Sequence, residues 1–139
     1  MSYLLDTNVI SELRKGPRCN AHVAAWFAPV PDHEIYLSVL VIGEIRRGIE
    51  RLRNRDPQRA AMLEGWLTQV ITGYHGRILT VEHAVAEEWG CLTALRPLPT
   101  VDSLLAATAK VHRLTLVTRN TLDIAATGVA FLNPFEPTP

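Results

Sequence analysis

Cysteine is scarce in this chain. Cys19 and Cys91 are isolated and lie in no CxxC spacing, which indicates neither a disulfide framework nor a thiolate zinc site. No apolar run approaches the roughly 18 residues of a membrane span, and the start lacks a charged stretch followed by an apolar one. A cytoplasmic protein without membrane contact is expected. Neither sign of charge dominates, since Lys+Arg and Asp+Glu both number 14, so net charge argues neither for nor against an anionic partner. Repeats, low-complexity tracts and linkers are missing as well. What remains is 139 residues with 47% hydrophobic content and a mean hydropathy of +0.09. Those values fit one ordered domain, 1–139, long enough to bury its own core.

Lysine is almost absent. Only Lys15 and Lys110 are lysine, and the other twelve basic residues are arginine, whose planar fork suits phosphates and carboxylates. A bias in base composition explains the same count. Six arginines (46, 47, 51, 53, 55 and 59) crowd into one stretch of fourteen residues. Such a cluster is either a solvated helix face or a contact for a polyanion or partner.

Short, almost continuously apolar runs at Tyr3–Leu5, Ile35–Leu37, Arg77–Thr80, Leu114–Thr118 and Val129–Leu132 read as strands buried on both faces of a parallel sheet. Helical patterns lie between them. They cover Val9–Lys15, Ala21–Ala28 before Pro29, a helix capped by Ser38 with Ile42, Ile45, Ile49 and Leu52 on one face, and another begun by Asp56-Pro57. Val81–Leu95, Val101–His112 and a short Thr121–Ala126 follow, and a proline-rich tail closes the chain at 133–139. Strands alternating with helices predict a three-layer α/β/α sandwich with a mainly parallel sheet.

Functional crevices in open parallel sheets lie outside the carboxyl ends of the strands. Asp6 leaves the first strand there, Ser38 leaves the second with Glu44 about two turns on, and Arg119-Asn120 follow the fourth with Asp123 close behind. Asp102 opens the sixth helix. Taken singly, Asp102 reads as a macrodipole acid and Asp123 as a turn residue. Glu44 has Leu40 and Val41 one turn before it and Gly48 one turn after, the setting of a partly buried acid that needs a partner. A strand-end carboxylate such as Asp6 has little packing value. The shared edge makes a site of the four. Clustered carboxylates repel unless a cation sits among them, and with no His or Cys at matching positions the donors are hard oxygens, which select Mg²⁺ or Mn²⁺. Phosphodiester hydrolysis is the chemistry such a site supports.

Asp6-Thr7-Asn8 after the first strand, Ser38 with Glu44 and Gly48, PTVDSLLAATA at 99–109 and LVTRNTLDI at 116–124 together resemble the PIN-domain nucleases. Within that family they resemble the VapC-type toxins of bacterial toxin–antitoxin pairs, including the FitB-like branch. The resemblance spans essentially the whole chain, including the ending TGVAFLNPFEP. It implies that Asp6, Glu44, Asp102 and Asp123 bind the metal, that Thr118 and Asn120 line the site, and that Thr7, Asn8 and Ser38 support it. Ile124 departs from the aromatic the family often carries, and Ser103 from a smaller residue. The implied protein is a homodimeric endoribonuclease that cuts single-stranded or looped RNA, is inhibited by a cognate antitoxin, and meets DNA only through that antitoxin. Helices Val9–Lys15 and Ala21–Ala28 carry Val9, Ile10, Leu13, Val23, Trp26 and Phe27, too many to bury on one side. Part of them is expected to form an exposed apolar groove for the antitoxin. Two other classes stay open: a weakly active regulatory module, and a doubly wound phosphatase or phosphotransfer protein. The second requires another acid two residues after Asp6, where Asn8 stands, and a strand-end lysine.

Overall fold

Each of the five apolar runs forms a strand in the computed structural model, which describes residues 1–137. The strands are β1 (Tyr3–Leu5), β2 (Ile35–Ser38), β3 (Ile78–Leu79), β4 (Thr115–Val117) and β5 (Phe131–Leu132). They join in one sheet of order β3-β2-β1-β4-β5, and every pairing is parallel. Leu4, Leu5, Ile35, Leu37, Leu116 and Val117 are fully buried or nearly so, as strands covered on both faces require.

Seven helices connect the strands: α1 (Thr7–Leu13), α2 (Ala21–Phe27), α3 (Val39–Arg53), α4 (Pro57–Gly73), α5 (His83–Thr93), α6 (Thr100–His112) and α7 (Thr121–Ala125). The chain steps from β1 outward to β2 and β3, then returns across the sheet to β4 and β5. Right-handed crossovers therefore put α1–α4 on one face and α5–α7 on the other. Helix packing follows that division, with α3 against α4, α1 against α2 and α3, and α6 against α5 and α7. The direction of travel reverses between β1 and β4, the kind of switch point at which open α/β sheets place their functional crevice.

Local chemistry sets the helix ends. Ser38 Oγ accepts from the Leu40 amide at 3.0 Å and starts α3, while Asp56 accepts from the Arg59 amide at 3.2 Å with Pro57 at the first turn of α4. Asn20 caps α2 through the His22 and Val23 amides. Helix α1 begins two residues before its apolar pattern, at Thr7, because the Asp6 carboxylate takes up the Thr7 amide. It ends at Leu13, short of the expected Lys15, where the chain turns through a 3₁₀ segment at Gly16–Arg18 with Gly16 at φ +59°. The strands β3 and β5 are two residues each, shorter than their apolar runs, because only those residues find ladder partners. Helix α5 is trimmed to His83–Thr93, since Val81 and Leu95 are exposed and have no core to hold them.

Three further expectations change. None of the six apolar residues on α1 and α2 stands exposed as a groove wall: Val9, Ile10 and Val23 are buried, and Leu13, Trp26 and Phe27 are half-buried against the core, with Trp26 edge-on to Tyr3 at 5.2 Å. The sheet and a small aromatic cluster cover what composition left over. The arginine cluster is divided by ion pairing. Arg46 and Arg53 both bind Glu50 and Glu64 across α3 and α4, and these arginines hold the Glu50 carboxyl down at about 2. Arg51, Arg55 and Arg59 stand exposed. The expected tail at 133–139 is docked at its start, where Pro134 is buried and the Arg119 guanidinium lies 3.8 Å above the Phe135 ring; residues 138 and 139 lie outside the described residues. No helix among the described residues is long and apolar enough to cross a membrane.

Candidate functional site

Asp6 sits where the topology reverses. Strand β1 delivers it, 4% exposed, to the carboxyl edge beside the end of β4. A carboxylate this enclosed requires donors, and it has three. Thr118 Oγ1 donates to Oδ2 at 2.7 Å, Asn8 Nδ2 donates to the same oxygen at 3.2 Å, and the Thr7 amide donates to Oδ1 at 2.6 Å. Burial raises its pKa above the ordinary value, and the nearby Glu44 adds to that, while the bonds from Thr118, Thr7 and Asn8 oppose it.

The donors are themselves held. Thr118 Oγ1 accepts from the Asn120 amide at 3.0 Å, and Asn8 Oδ1 accepts from the Arg119 amide at 3.2 Å. The loop after β4 and the start of α1 are thus stitched together through Asp6. Asn8 occupies the place where a phosphotransfer protein would need a second acid, and here it organises the first. Lys15 pairs with Glu12 at 3.0 Å and Lys110 with Glu88 at 3.2 Å, so neither supplies that chemistry's strand-end lysine.

Glu44 lies about two turns into α3 and is half-buried. Its Oε1 accepts from Thr7 Oγ1 at 2.6 Å, and its Oε2 lies 3.8 Å from Arg47. Asp102 stands in the first turn of α6, half-buried. Its pKa is raised to about 6, first by desolvation and then by the charges of Asp6, Asp123 and Glu44, with a bond from Asn120 opposing. One carboxyl therefore feels the other three. Asp123 contributes from the exposed surface of α7, by charge rather than by contact. Ser38 is the exception among the predicted residues. It is fully buried, and its hydroxyl serves the start of α3 rather than the acids.

Two residues beneath Asp102 escaped sequence reasoning. Ser103 is buried, accepts from Trp89 Nε1 at 3.0 Å, and shares its own proton between the carbonyls of Pro99 and Thr100 at 2.8 and 2.9 Å. This ties the first turn of α6 to α5 and fixes the backbone that carries Asp102. The available signal was a serine in the first turn of a Pro-Thr-started helix, where its hydroxyl bonds back to preceding carbonyls.

Among the described residues, no three His, Cys, Asp or Glu side chains are drawn tightly enough together to enclose an ion. Glu44 is turned toward Thr7 and Arg47, which accounts for one missing donor. The donor chemistry nonetheless fits a hard divalent cation. Mg²⁺ keeps several waters and takes only one or two protein carboxylates, and Asp6 with Asp102 supplies them as a mutually repelling pair with surplus negative charge around it.

The PIN domain family model matches residues 3–127. Toxin FitB of Neisseria gonorrhoeae is 34% identical over 138 residues, covering 96% of this chain and 98% of that protein. VapC ribonuclease Y4jK of Sinorhizobium fredii is 32% identical over 141 residues, with the same coverage of 96% and 98%. Among solved structures, FitAB bound to an IR36 DNA fragment superposes with a TM-score of 0.86 at 33% identity, covering 99% of this chain and 98% of that one.

Proposed function

Because the chain belongs to the PIN-domain family, we propose that it is a metal-dependent endoribonuclease, the toxin of a toxin–antitoxin pair, built as a single nuclease domain. The observation that carries this reading is the convergence of Asp6, Glu44, Asp102 and Asp123 on one sheet edge, close enough that, after desolvation, the other three acids raise the pKa of Asp102. Carboxylates left to repel one another make a poor structural element and a good cation site. The relatives named a toxin and a ribonuclease support it from outside the chain.

Asp6 and Asp102 would hold Mg²⁺ or Mn²⁺ most directly, with Glu44 completing the shell or orienting water and Asp123 adding charge from α7. When bound, the ion supplies Lewis-acid polarisation of the phosphate and activation of water. The remaining work falls to this chain. Thr118, Asn8 and the Thr7 amide fix both oxygens of Asp6, Thr7 Oγ1 fixes Glu44, and Asn120 steadies Asp102. In the reaction a water oxygen bonds to phosphorus, the bond from phosphorus to the leaving sugar oxygen breaks, and that oxygen takes a proton. RNA with unstacked bases is the substrate class such enzymes reach, because the backbone must enter an open edge.

Incubating the purified chain with total RNA in Mn²⁺, and in parallel with EDTA, tests the activity. Discrete cut ends that vanish with EDTA are expected, and intact RNA under both conditions would refute the nuclease reading.

The reading also carries a protein partner. We propose a homodimer held inactive by a cognate antitoxin, through which alone the assembly would touch DNA; the antitoxin partner is supported by structural neighbours that are a toxin–antitoxin complex and FitAB bound to a DNA fragment. Co-expression with the small protein encoded beside its gene should yield a co-purifying complex with RNA cleavage suppressed at least about tenfold, a coupling of about 1.4 kcal/mol or more. A neighbouring product that does not bind, together with a lone chain harmless to its host, would remove the toxin assignment and leave the fold untouched.

A further inference from the structure

Beside Glu44 runs a second depression of about 280 Å³, lined by Val39, Leu40, Gly43, Glu44, Arg47 and Val101. It lies between the N-terminal half of α3 and the first turn of α6, and Glu44 in its wall joins it to the carboxylates at the sheet edge. Its walls are aliphatic, and its one cation is Arg47.

Two features of this groove lack a structural explanation. Gly43 sits inside α3, where glycine costs helix stability relative to alanine, yet an added Cβ there would meet nothing within 4 Å. Packing does not require glycine at this position, as it does not at Gly48 further along α3; what sets Gly43 apart is its place in the lining of this groove, next to Glu44. Arg47 is the second. Its neighbours Arg46 and Arg53 are neutralised by Glu50 and Glu64, whereas Arg47 is 59% exposed and reaches only Glu44, at 3.8 Å. A loosely held cation beside an acid cluster is free to take an anion.

We propose that this groove is the subsite for the nucleotide adjoining the scissile phosphate of a single-stranded RNA, with Gly43 keeping its floor open to the base and Arg47 holding the neighbouring phosphate. The inference rests on the nuclease reading and adds to it a place for the substrate. A single base fits the space, and the aliphatic walls grip it by apolar contact with few hydrogen bonds. The subsite thus fixes the strand's position more than its sequence.

The variants Gly43→Leu and Arg47→Gln test it, with Arg55→Gln in the turn after α3 as the control. Binding of a labelled single-stranded RNA is read by anisotropy in an Asp6→Asn background, and KM and kcat are read in Mn²⁺ with Asp6 restored. Each groove variant should raise Kd and KM about tenfold, in the range of a lost base or phosphate contact, with kcat within about twofold. Arg47→Gln should also flatten the slope of log K against log salt by about 0.7, one phosphate contact's worth on a single strand. Gly43→Leu should melt no lower than its parent, and Gly43→Ala provides a milder version should leucine fail to fold. If the parent cleaves and the groove variants keep its Kd and KM, the subsite is wrong while the nuclease reading stands. A loss confined to kcat would mean that Glu44 was disturbed, and a loss confined to a co-purified protein partner would assign the groove to that partner; either result overturns the proposal. A parent that neither binds nor cuts RNA brings down the nuclease reading and the subsite with it.

Discussion

Replacing Asp6 with asparagine should abolish metal-dependent RNA cleavage and leave the fold standing. Asparagine keeps the shape and the capping oxygen, so the Thr7 amide at 2.6 Å retains its acceptor and α1 keeps its start. The Thr118 hydroxyl, which donates to Oδ2 at 2.7 Å, can rotate to accept from the new amide instead. What disappears is a charged ligand at the topological switch point. Residues that merely orient a metal ligand typically cost 10–100-fold on mutation, so removal of the ligand itself should lower kcat/KM by at least about 100-fold, or roughly 2.7 kcal/mol of transition-state stabilisation. A folded Asp6→Asn protein that cuts RNA at the parent rate would show that Asp6 holds no catalytic ion.

Asp6 stood out in the sequence because a strand-end carboxylate has little packing value, and the parallel sheet gave it an address. Strand and helix identities followed for the same reason: buried runs, proline positions and the caps at Ser38 and Asp56 are local signals. What stayed hidden is non-local. The sheet order decides that β1 and β4 are neighbours, and so that Thr118, 112 positions away, donates to Asp6. Nothing near Thr7 announces that its hydroxyl holds Glu44. The arginine cluster stayed ambiguous because periodicity does not reveal that Glu64, on the next helix, neutralises Arg46 and Arg53. The expected α1–α2 groove failed likewise. Counting apolar residues on two short helices says nothing of how much sheet covers them, and Val9, Ile10 and Val23 are buried.

The web around the acids also separates residues that bind from residues that hold. Thr118, Asn8 and Thr7 fix the oxygens of Asp6 and Glu44, while Ser103 and Trp89 fix the helix turn beneath Asp102. None of the second pair faces the cleft's charge. The protein therefore keeps repelling carboxylates in place with neutral donors and, apart from Arg47 at 3.8 Å from Glu44, leaves their charge uncompensated, the arrangement a cation site needs.

That uncompensated charge predicts opposite signs for stability and activity at Asp102. Its pKa, raised to about 6 in the folded protein, lies above an aspartate's ordinary 3.8, so the folded protein binds this proton more tightly than the unfolded chain does. The contribution to stability is complete below about pH 4 and is lost as pH rises through about 6. At neutral pH without metal, ionised Asp102 opposes folding, first through its desolvation and then through repulsion by Asp6, Asp123 and Glu44. Asp102→Asn deletes that repulsion and retains an oxygen for the Asn120 bond. In EDTA the variant should therefore melt higher than the parent at pH 7, by a few degrees, and the difference should close on approach to pH 4. Millimolar Mg²⁺ or Mn²⁺ should reverse the order, because the ion stabilises whichever native state binds it, by RT ln(1 + [L]/Kd), and the parent binds it better. Metal affinity of the parent should rise across the same pH window as the competing proton leaves. Cleavage by the variant should fall at least about 100-fold despite its greater metal-free stability. Melting curves at pH 4 and pH 7, each with EDTA and with Mn²⁺, decide the matter. A parent whose melting temperature ignores divalent ions, or a variant that is less stable than the parent in EDTA at pH 7, would mean that the acids at this edge do not form the repelling cluster on which the metal site depends.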